Sequence, residues 1–216
     1  MDMISAIAKG HEALGASLCK LLNSHGFIAQ YADDAGAACD AALRLIEEGA
    51  SVGVPGSVTV RQIGLLDALT ARGSSVYTHW DPSLKPEDKA ARLLKAQNAD
   101  WFVMSTNALS LDEGAFVNID GTGNRVAAMS WAPGKLLIIA GINKVTSDTA
   151  SALKRVRNIA TPPNVLRLGI STPCASLGHC VNCSSASRVC RVVTLMERPP
   201  IGRECHVIIV GEELGY

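Results

Sequence analysis

At 216 residues, with 48% hydrophobic and 4% aromatic residues, the chain can bury a sizeable core and fits one large α/β domain with an appended piece. Lys plus Arg and Asp plus Glu both number 20, so no overall field recruits nucleic acid or an anionic membrane, and the scarcity of aromatics leaves no stacking platform for bases. The longest apolar run, Leu136 to Ala140, falls far short of the roughly 20 residues of a membrane helix, and Met1-Asp2-Met3-Ile4 lacks the basic-then-apolar pattern of a secretory signal. A soluble, cytoplasmic protein is expected, with a homo-oligomer left open.

Ile4 to Leu22 places Ile4, Ile7, Leu14, Leu18, Leu21 and Leu22 near helical spacing, and His25-Gly26 ends that helix. Phe27 to Tyr31 reads as a short strand. Asp33-Asp34 puts negative charge at the start of a helix over 35–47, which Gly49 closes. Ser51 to Val54 is a strand, turned by Pro55-Gly56-Ser57 into a helix over 58–71. A strand, a glycine turn, hydroxyls and a helix start can hold a phosphate or carboxylate, so Gly56, Ser57 and Thr59 are candidate ligand-binding residues. An ordinary capped βα turn explains the same residues, and neither a Walker loop nor Gly-x-Gly-x-x-Gly is present. Residues 74–79 resume as a strand, 80–86 form a loop, 87–97 a helix, and Asp100 to Ser105 a strand that delivers Thr106 and Asn107 at its carboxyl end.

The run from Asn107 to Lys144 packs the tightest connections. Asp112-Glu113-Gly114 is a turn between Ala108–Leu111 and Ala115–Ile119, which predicts a hairpin. Asp120-Gly121-Thr122-Gly123-Asn124 follows, a nest-forming loop in which Asn124 can cap a helix starting at Arg125. After Pro133-Gly134, the continuous apolar run to Gly141 predicts a strand buried on both faces, as in a parallel sheet. Ile142-Asn143-Lys144 is a polar exit loop. Thr146, Ser147 or Asp148 can cap the next helix, which Thr161-Pro162-Pro163 should stop. Residues 1–160 thus read as the α/β core with its N-terminal helix, and 161–216 as a cysteine-rich loop and returning strand of the same domain.

In open α/β sheets ligands sit outside the carboxyl ends of the strands. The stretches 53–59, 105–107 and 118–124 should therefore converge on one edge and bind a small anionic metabolite, between the Gly56 to Thr59 turn and the Asp120 to Arg125 loop. Asp120 is the candidate acid/base, Asn107 and Asn118 the positioners, and Gly121, Gly123, Asn124, Arg125 and Lys144 the ligand-binding set. Asp120 has a second reading, in which it only fastens the Asp-Gly turn through backbone N–H groups.

Cys174, Cys180, Cys183 and Cys190 follow the spacing Cys-x5-Cys-x2-Cys-x6-Cys. Clustered cysteines in a cytoplasmic chain argue for a metal before disulfides, and four thiolates suit zinc or an iron–sulfur cluster; the spacing does not choose between them. Cys205 opens the apolar run His206 to Val210 and reads as a small core residue.

The segments Val54-Pro55-Gly56-Ser57-Val58-Thr59-Val60-Arg61-Gln62, Val117-Asn118-Ile119-Asp120-Gly121-Thr122-Gly123-Asn124-Arg125 and Val210-Gly211-Glu212-Glu213-Leu214-Gly215-Tyr216 resemble the LUD (lactate utilisation) domain family, and the cysteine loop is similar to that of its short, stand-alone members. The resemblance implies a mostly parallel, Rossmann-like sheet between helix layers, like that of the ribose-phosphate isomerases, glucosamine-phosphate isomerases and acyl-CoA transferases. It further implies a role in oxidising L-lactate to pyruvate beside iron–sulfur partner proteins. The alternative is an enzyme acting on a small phosphorylated or carboxylated metabolite, isomerase-like or acyl-CoA-transferase-like. In the transferases a Glu-Asn-Gly turn carries the nucleophile; Asp112-Glu113-Gly114 lacks that asparagine, which argues against covalent catalysis by Glu113.

Overall fold

The computed structural model describes residues 2–81 and 83–216; Met1, in the leader reading, and Pro82, inside the expected loop 80–86, lie outside the described residues. In chain order the elements are α1 (Met3–Ser24), β1 (Ile28–Ala32), α2 (Ala35–Leu45), β2 (Ser51–Gly53), α3 (Val58–Gln62), α4 (Leu65–Ala71), β3 (Ser75–Tyr77), α5 (Pro86–Gln97), β4 (Trp101–Met104), β5 (Ala108–Ser110), β6 (Phe116–Asp120), α6 (Asn124–Ser130), β7 (Lys135–Gly141), β8 (Val145–Thr146), α7 (Thr149–Arg155), α8 (Thr161–Arg167), α9 (Pro173–Leu177), β9 (Val192–Met196) and β10 (Cys205–Val210). They divide into two units. The first comprises residues up to Ser105, Ala128–Asn143 and Arg198–Gly215; the second comprises Thr106–Ala127, Lys144–Glu197 and Tyr216.

A six-stranded sheet in the order β1-β10-β7-β4-β2-β3 carries the first unit, and its pairs are parallel. The expected two-sided burial holds: Leu136 to Ala140 and Val207 to Val210 are shut off from solvent. Leu137, Ile139, Ile208, Val210, Val103 and Val52 pack against Ala38, Ala41 and Ala42 of α2, Val60 of α3, and Leu65 and Leu69 of α4. Small residues let helices approach elsewhere. A Cβ on Gly15 of α1 would stand 2.2 Å from the Tyr31 ring, and one on Gly53 of β2 would stand 2.0 Å from the Ala96 carbonyl oxygen of α5.

At the amino ends of the central strands the Trp101 indole donates to Glu47 at 2.6 Å, and Lys135 reaches Glu47 at 3.0 Å and Glu204 at 3.4 Å. Glu204 in turn meets His206 Nε2 at 2.6 Å. The indole bond, then the backbone N–H of Glu47 itself and the Lys135 contact, hold the Glu47 carboxyl down to about 2. This network closes the end of the sheet opposite the carboxyl edge.

In the second unit, a four-stranded sheet has the order β8-β5-β6-β9. The expected hairpin is present as antiparallel β5 and β6, and β8 joins β5 in parallel. Ala152 and Val156 cover Ala108, Val117 and Ile119. Strand β9, antiparallel to β6, is an element the sequence reading left out.

Three expectations are corrected. The helix over 58–71 is broken: Gly64, at φ 73°, separates α3 from α4. Pro162 and Pro163 do not stop the helix after α7. Neither proline has an N–H to give to the preceding turn, and both the Thr161 N–H and its hydroxyl, the latter at 2.8 Å, bond instead to the Val156 carbonyl; the resulting π turn, Val156–Ala160, absorbs the missing donors and α8 continues. Asn124 is the first helical residue of α6 rather than its cap, and the acceptor at that helix start is Asp120.

The Gly53 contact generates a paired prediction. Gly53→Ala must push β2 away from α5 and should lower stability by about 1–3 kcal/mol, whereas Gly10→Ala in α1, where nothing lies within 4 Å of the added carbon, should raise it by up to about 1 kcal/mol. Urea denaturation of the two variants measures both.

Candidate functional site

The predicted positioners Asn107 and Asn118 meet at the open end of the β5–β6 hairpin. Asn118 Oδ1 accepts from the Asn107 N–H at 3.0 Å, Asn107 Oδ1 accepts from the Ile119 N–H at 3.0 Å, and Asn118 Nδ2 donates to the Thr106 hydroxyl at 3.1 Å. Two side-chain amides thus continue a ladder where the backbone pairing ends. Ser110, Ala115 and a Gly114 at φ 59° close the other end, and Glu113 accepts from the Thr149 N–H at 3.2 Å, a structural use of that carboxylate.

Asp120 ends β6. Its Oδ2 accepts from the Arg125 N–H at 2.8 Å, while Oδ1 accepts from the Gly121 N–H at 3.2 Å and faces Arg125 Nε at 3.4 Å. Asp120 thus fastens the turn, as its second reading expects, and is also engaged by Arg125. Gly123 supplies the left-handed conformation at φ 88°, and Asn124 Oδ1 accepts from the Thr122 hydroxyl at 2.6 Å. The Arg125 guanidinium also donates to the Ile119 carbonyl at 2.8 Å.

Arg155, on α7, is a residue the sequence reading missed. Only 7% exposed, it donates to the Asn107 carbonyl at 2.6 Å and to the Tyr216 carbonyl at 3.1 Å. Its signal was its position one residue before Val156, on the flank of the apolar stripe of α7. Lys144, expected in a polar exit loop, is 3% exposed. Burial, then the charges of Arg155 and Arg125, push its amine down to about 7. A lysine in that environment gives up its proton more readily than an exposed one.

Gly56, Ser57 and Thr59 belong to the first unit. The Ser57 hydroxyl caps α3 by accepting from the Val60 N–H at 3.2 Å, and Thr59 is buried. Gly56, at φ 90°, lies against His79 and Trp80, where a Cβ would come within 2.6 Å of the indole nitrogen, and Arg61 stacks 4.9 Å from the centre of the Trp80 ring. Thus the structure gathers Asn107, Asn118, Asp120, Gly121, Gly123, Asn124, Arg125 and Lys144 in the second unit, and places Gly56, Ser57 and Thr59 in the first.

The cysteine loop leaves α9 at Gly178. Cys174 is buried beside the Thr172 hydroxyl at 3.3 Å, and the Cys180 N–H donates to Asn158 of the π turn at 3.1 Å. Arg188 organises the rest. Its guanidinium donates to the carbonyls of Cys183 at 2.8 Å and Cys190 at 3.1 Å, and it is held more firmly charged by the Cys190 side chain first and then by Cys183 and Cys180. The cysteines are all free thiols. Among the described residues no three His, Cys, Asp or Glu side chains are gathered as a metal site. Cys174, Cys180, Cys183 and Cys190 supply the donor type that a thiolate-bound metal needs, but the structure does not gather them round one centre.

These features define a Rossmann-like α/β protein with a second unit that carries a group of basic residues and a cysteine loop. The chain belongs to the LUD domain family, whose profile matches residues 16–210, a family associated with lactate utilisation. The fold is similar to that of a DUF162 family protein from Deinococcus radiodurans, with a TM-score of 0.54 and 14% identity over 93% of this chain and 98% of that one. Comparison with curated proteins gives no match. Among the described residues no helix is long and apolar enough to cross a membrane.

Lys144 generates a test by linkage. Its folded pKa lies below the unfolded value, so between about 7 and 10.5 the unfolded chain binds the extra proton and stability rises with pH; below about 7 both states are protonated and the gain is gone. Wild type should therefore gain stability over that window, with a slope of up to about 1.4 kcal/mol per pH unit, relative to Lys144→Met. Parallel slopes for the two proteins in denaturant titrations across that range would contradict it.

Proposed function

We propose that this LUD-family protein serves L-lactate utilisation in the cytoplasm as an accessory subunit beside iron–sulfur proteins that oxidise lactate to pyruvate. The family match over residues 16–210 carries this reading. In it, Cys174, Cys180, Cys183 and Cys190 hold a metal centre and Arg188 offsets its charge. An iron–sulfur cluster there would supply one-electron transfer, and zinc would supply a structural staple.

A second reading is favoured by one observation, the grouping of Lys144, Arg125 and Arg155. It makes the chain an enzyme acting on a small phosphorylated or carboxylated metabolite, isomerase-like or transferase-like. The basic residues hold the anion, Asp120 moves a proton, and Asn107 and Asn118 keep the hairpin end rigid.

Two experiments address these readings. Deleting the gene together with its paralogues should impair growth on L-lactate, and a copy carrying Asp120→Asn, which keeps the oxygen that bonds Arg125, should restore it only if proton transfer at Asp120 is dispensable. Unchanged growth of the deletion strain on lactate removes the first reading. For the metal, Cys183→Ser should lower both metal content after anaerobic purification and the melting temperature, since thiolate binding contributes to folding. Sub-stoichiometric metal in the wild type, with stability indifferent to a chelator, contradicts the metal centre.

A further inference from the structure

We propose that the chain forms a two-fold dimer by antiparallel pairing of β9 with β9 of a second copy, in a register centred on Thr194. The proposal holds whichever reading of function stands. Strand β9 is the last strand of the four-stranded sheet, and among the described residues it pairs with β6 alone. One row of its backbone N–H and C=O groups therefore points away from the sheet, a ready template for another strand. Edges of this kind are ordinarily guarded by a lysine, a proline, a bulge or an inward-pointing charge. Val192-Val193-Thr194-Leu195-Met196 carries no charge and no proline. Instead Val192, Val193 and Leu195 are 42%, 50% and 44% exposed. Val193 and Leu195 share a face with Ile119 and Val117, their partners in β6, which Ala152 and Val156 cover. The apolar face of the small sheet thus runs past its cover and out into solvent along β9.

The order of residues along the strand identifies the occupant. Arg191 precedes β9 and Glu197 follows it, and both are exposed. An antiparallel pair centred on Thr194 sets Arg191 of each copy opposite Glu197 of the other, Val192 opposite Met196, and Val193 opposite Leu195. Opposite charges and apolar pairs facing each other across strands are the arrangements that stabilise a sheet, and like charges facing each other destabilise it. Sliding the copies by two residues instead sets Arg191 against Leu195 or Glu197 against Val193, and parallel pairing in register sets like charges side by side. The Arg191 guanidinium bonds the carbonyls of Arg188 and Ala186, which fix its position, but these are neutral groups, and among the described residues it makes no ion pair. An unrelated extended peptide would satisfy the open backbone edge, but a second copy also matches its charges and its apolar side chains.

The contact is isologous and therefore closed: each copy uses the same edge, and the two four-stranded sheets join into one continuous sheet. The edge left over in each copy is β8, only two residues long and a poor template for further growth. A pair of five-residue strands buries less than the roughly 1,200 Å² of a standard interface, so the association is weak and reversible.

The test is sedimentation equilibrium of the full-length chain from low micromolar to millimolar concentration, with a thiol reductant present so that the loop cysteines cannot cross-link copies. The expected result is a reversible monomer–dimer equilibrium, with amide hydrogen exchange at residues 192–196 slowing as the dimer fills. Leu195→Lys should weaken dimerisation at least about tenfold, since each copy then sets a charge against Val193 of the other. Arg191→Glu and Glu197→Arg should each weaken it roughly three- to tenfold. Mixed in equal amounts, those two variants should pair with each other about as tightly as wild type does with itself, because every charged pair is again opposite in sign. That mixture decides the register even where Leu195→Lys fails to fold. A wild type that stays monomeric to millimolar concentration overturns the proposal, as do a dimer indifferent to all three substitutions, exchange protection gained only in other segments, growth beyond the dimer, or a mixture no tighter than its components. Slow exchange at residues 192–196 already in the dilute monomer also overturns it, since the edge would then be covered by the chain itself.

Discussion

Parallel pairing of β4, β7 and β10 is the constraint on which the rest of the molecule depends. Neighbouring parallel strands must be joined by a connection that leaves at a carboxyl end and returns to an amino end, so a tight turn cannot serve. Here the register from Trp101↔Lys135 through Cys205↔Leu136 fixes both crossovers. The second unit is built from them: Thr106–Ala127 lies between β4 and β7, and Lys144–Glu197 between β7 and β10. Asn107, Asp120, Lys144 and the cysteines therefore all occupy segments that the parallel sheet obliges the chain to make.

Within that unit, polar groups do structural work before any chemistry is asked of them. The carbonyl oxygens of Asn107 and Asn118 are spent on backbone N–H groups, and Asp120 holds the start of α6. Such commitments lower the freedom of the loop, which is what a site needs if its groups are to be held in place. Lys144 is buried as well, and burial beside two guanidinium groups works against its own charge.

Much of this was legible in the sequence, for identifiable reasons. The run Leu136 to Ala140 is too short for a buried helix and too apolar for a surface strand, so its place in a parallel sheet followed from composition alone. The hairpin was signalled by Asp112-Glu113-Gly114, and its strands lie where expected. What escaped notice depends on tertiary partners. Nothing local says that the Thr161 hydroxyl will cover for two prolines, or that Val192 to Met196, despite its β-branched residues, pairs with β6. The helix expected over 58–71 ran through Gly64, whose left-handed conformation divides it into α3 and α4. Arg155 and Arg188 carry no signal of their partners in the sequence, and only the carbonyls they reach give them a place.

The central position of β10 has a consequence for the nascent chain. Strand β10 lies between β1 and β7, pairing with both, yet it is the last of the strands to be synthesised. Until residues 205–210 leave the ribosome, the facing edges of β1 and β7 have no partner, and the apolar faces behind them stay only half assembled. Unpaired edges of this sort invite association with other chains. The protein thus completes its sheet only after translation has passed the cysteine loop, and a truncated or stalled product would expose both edges to chaperones and proteases.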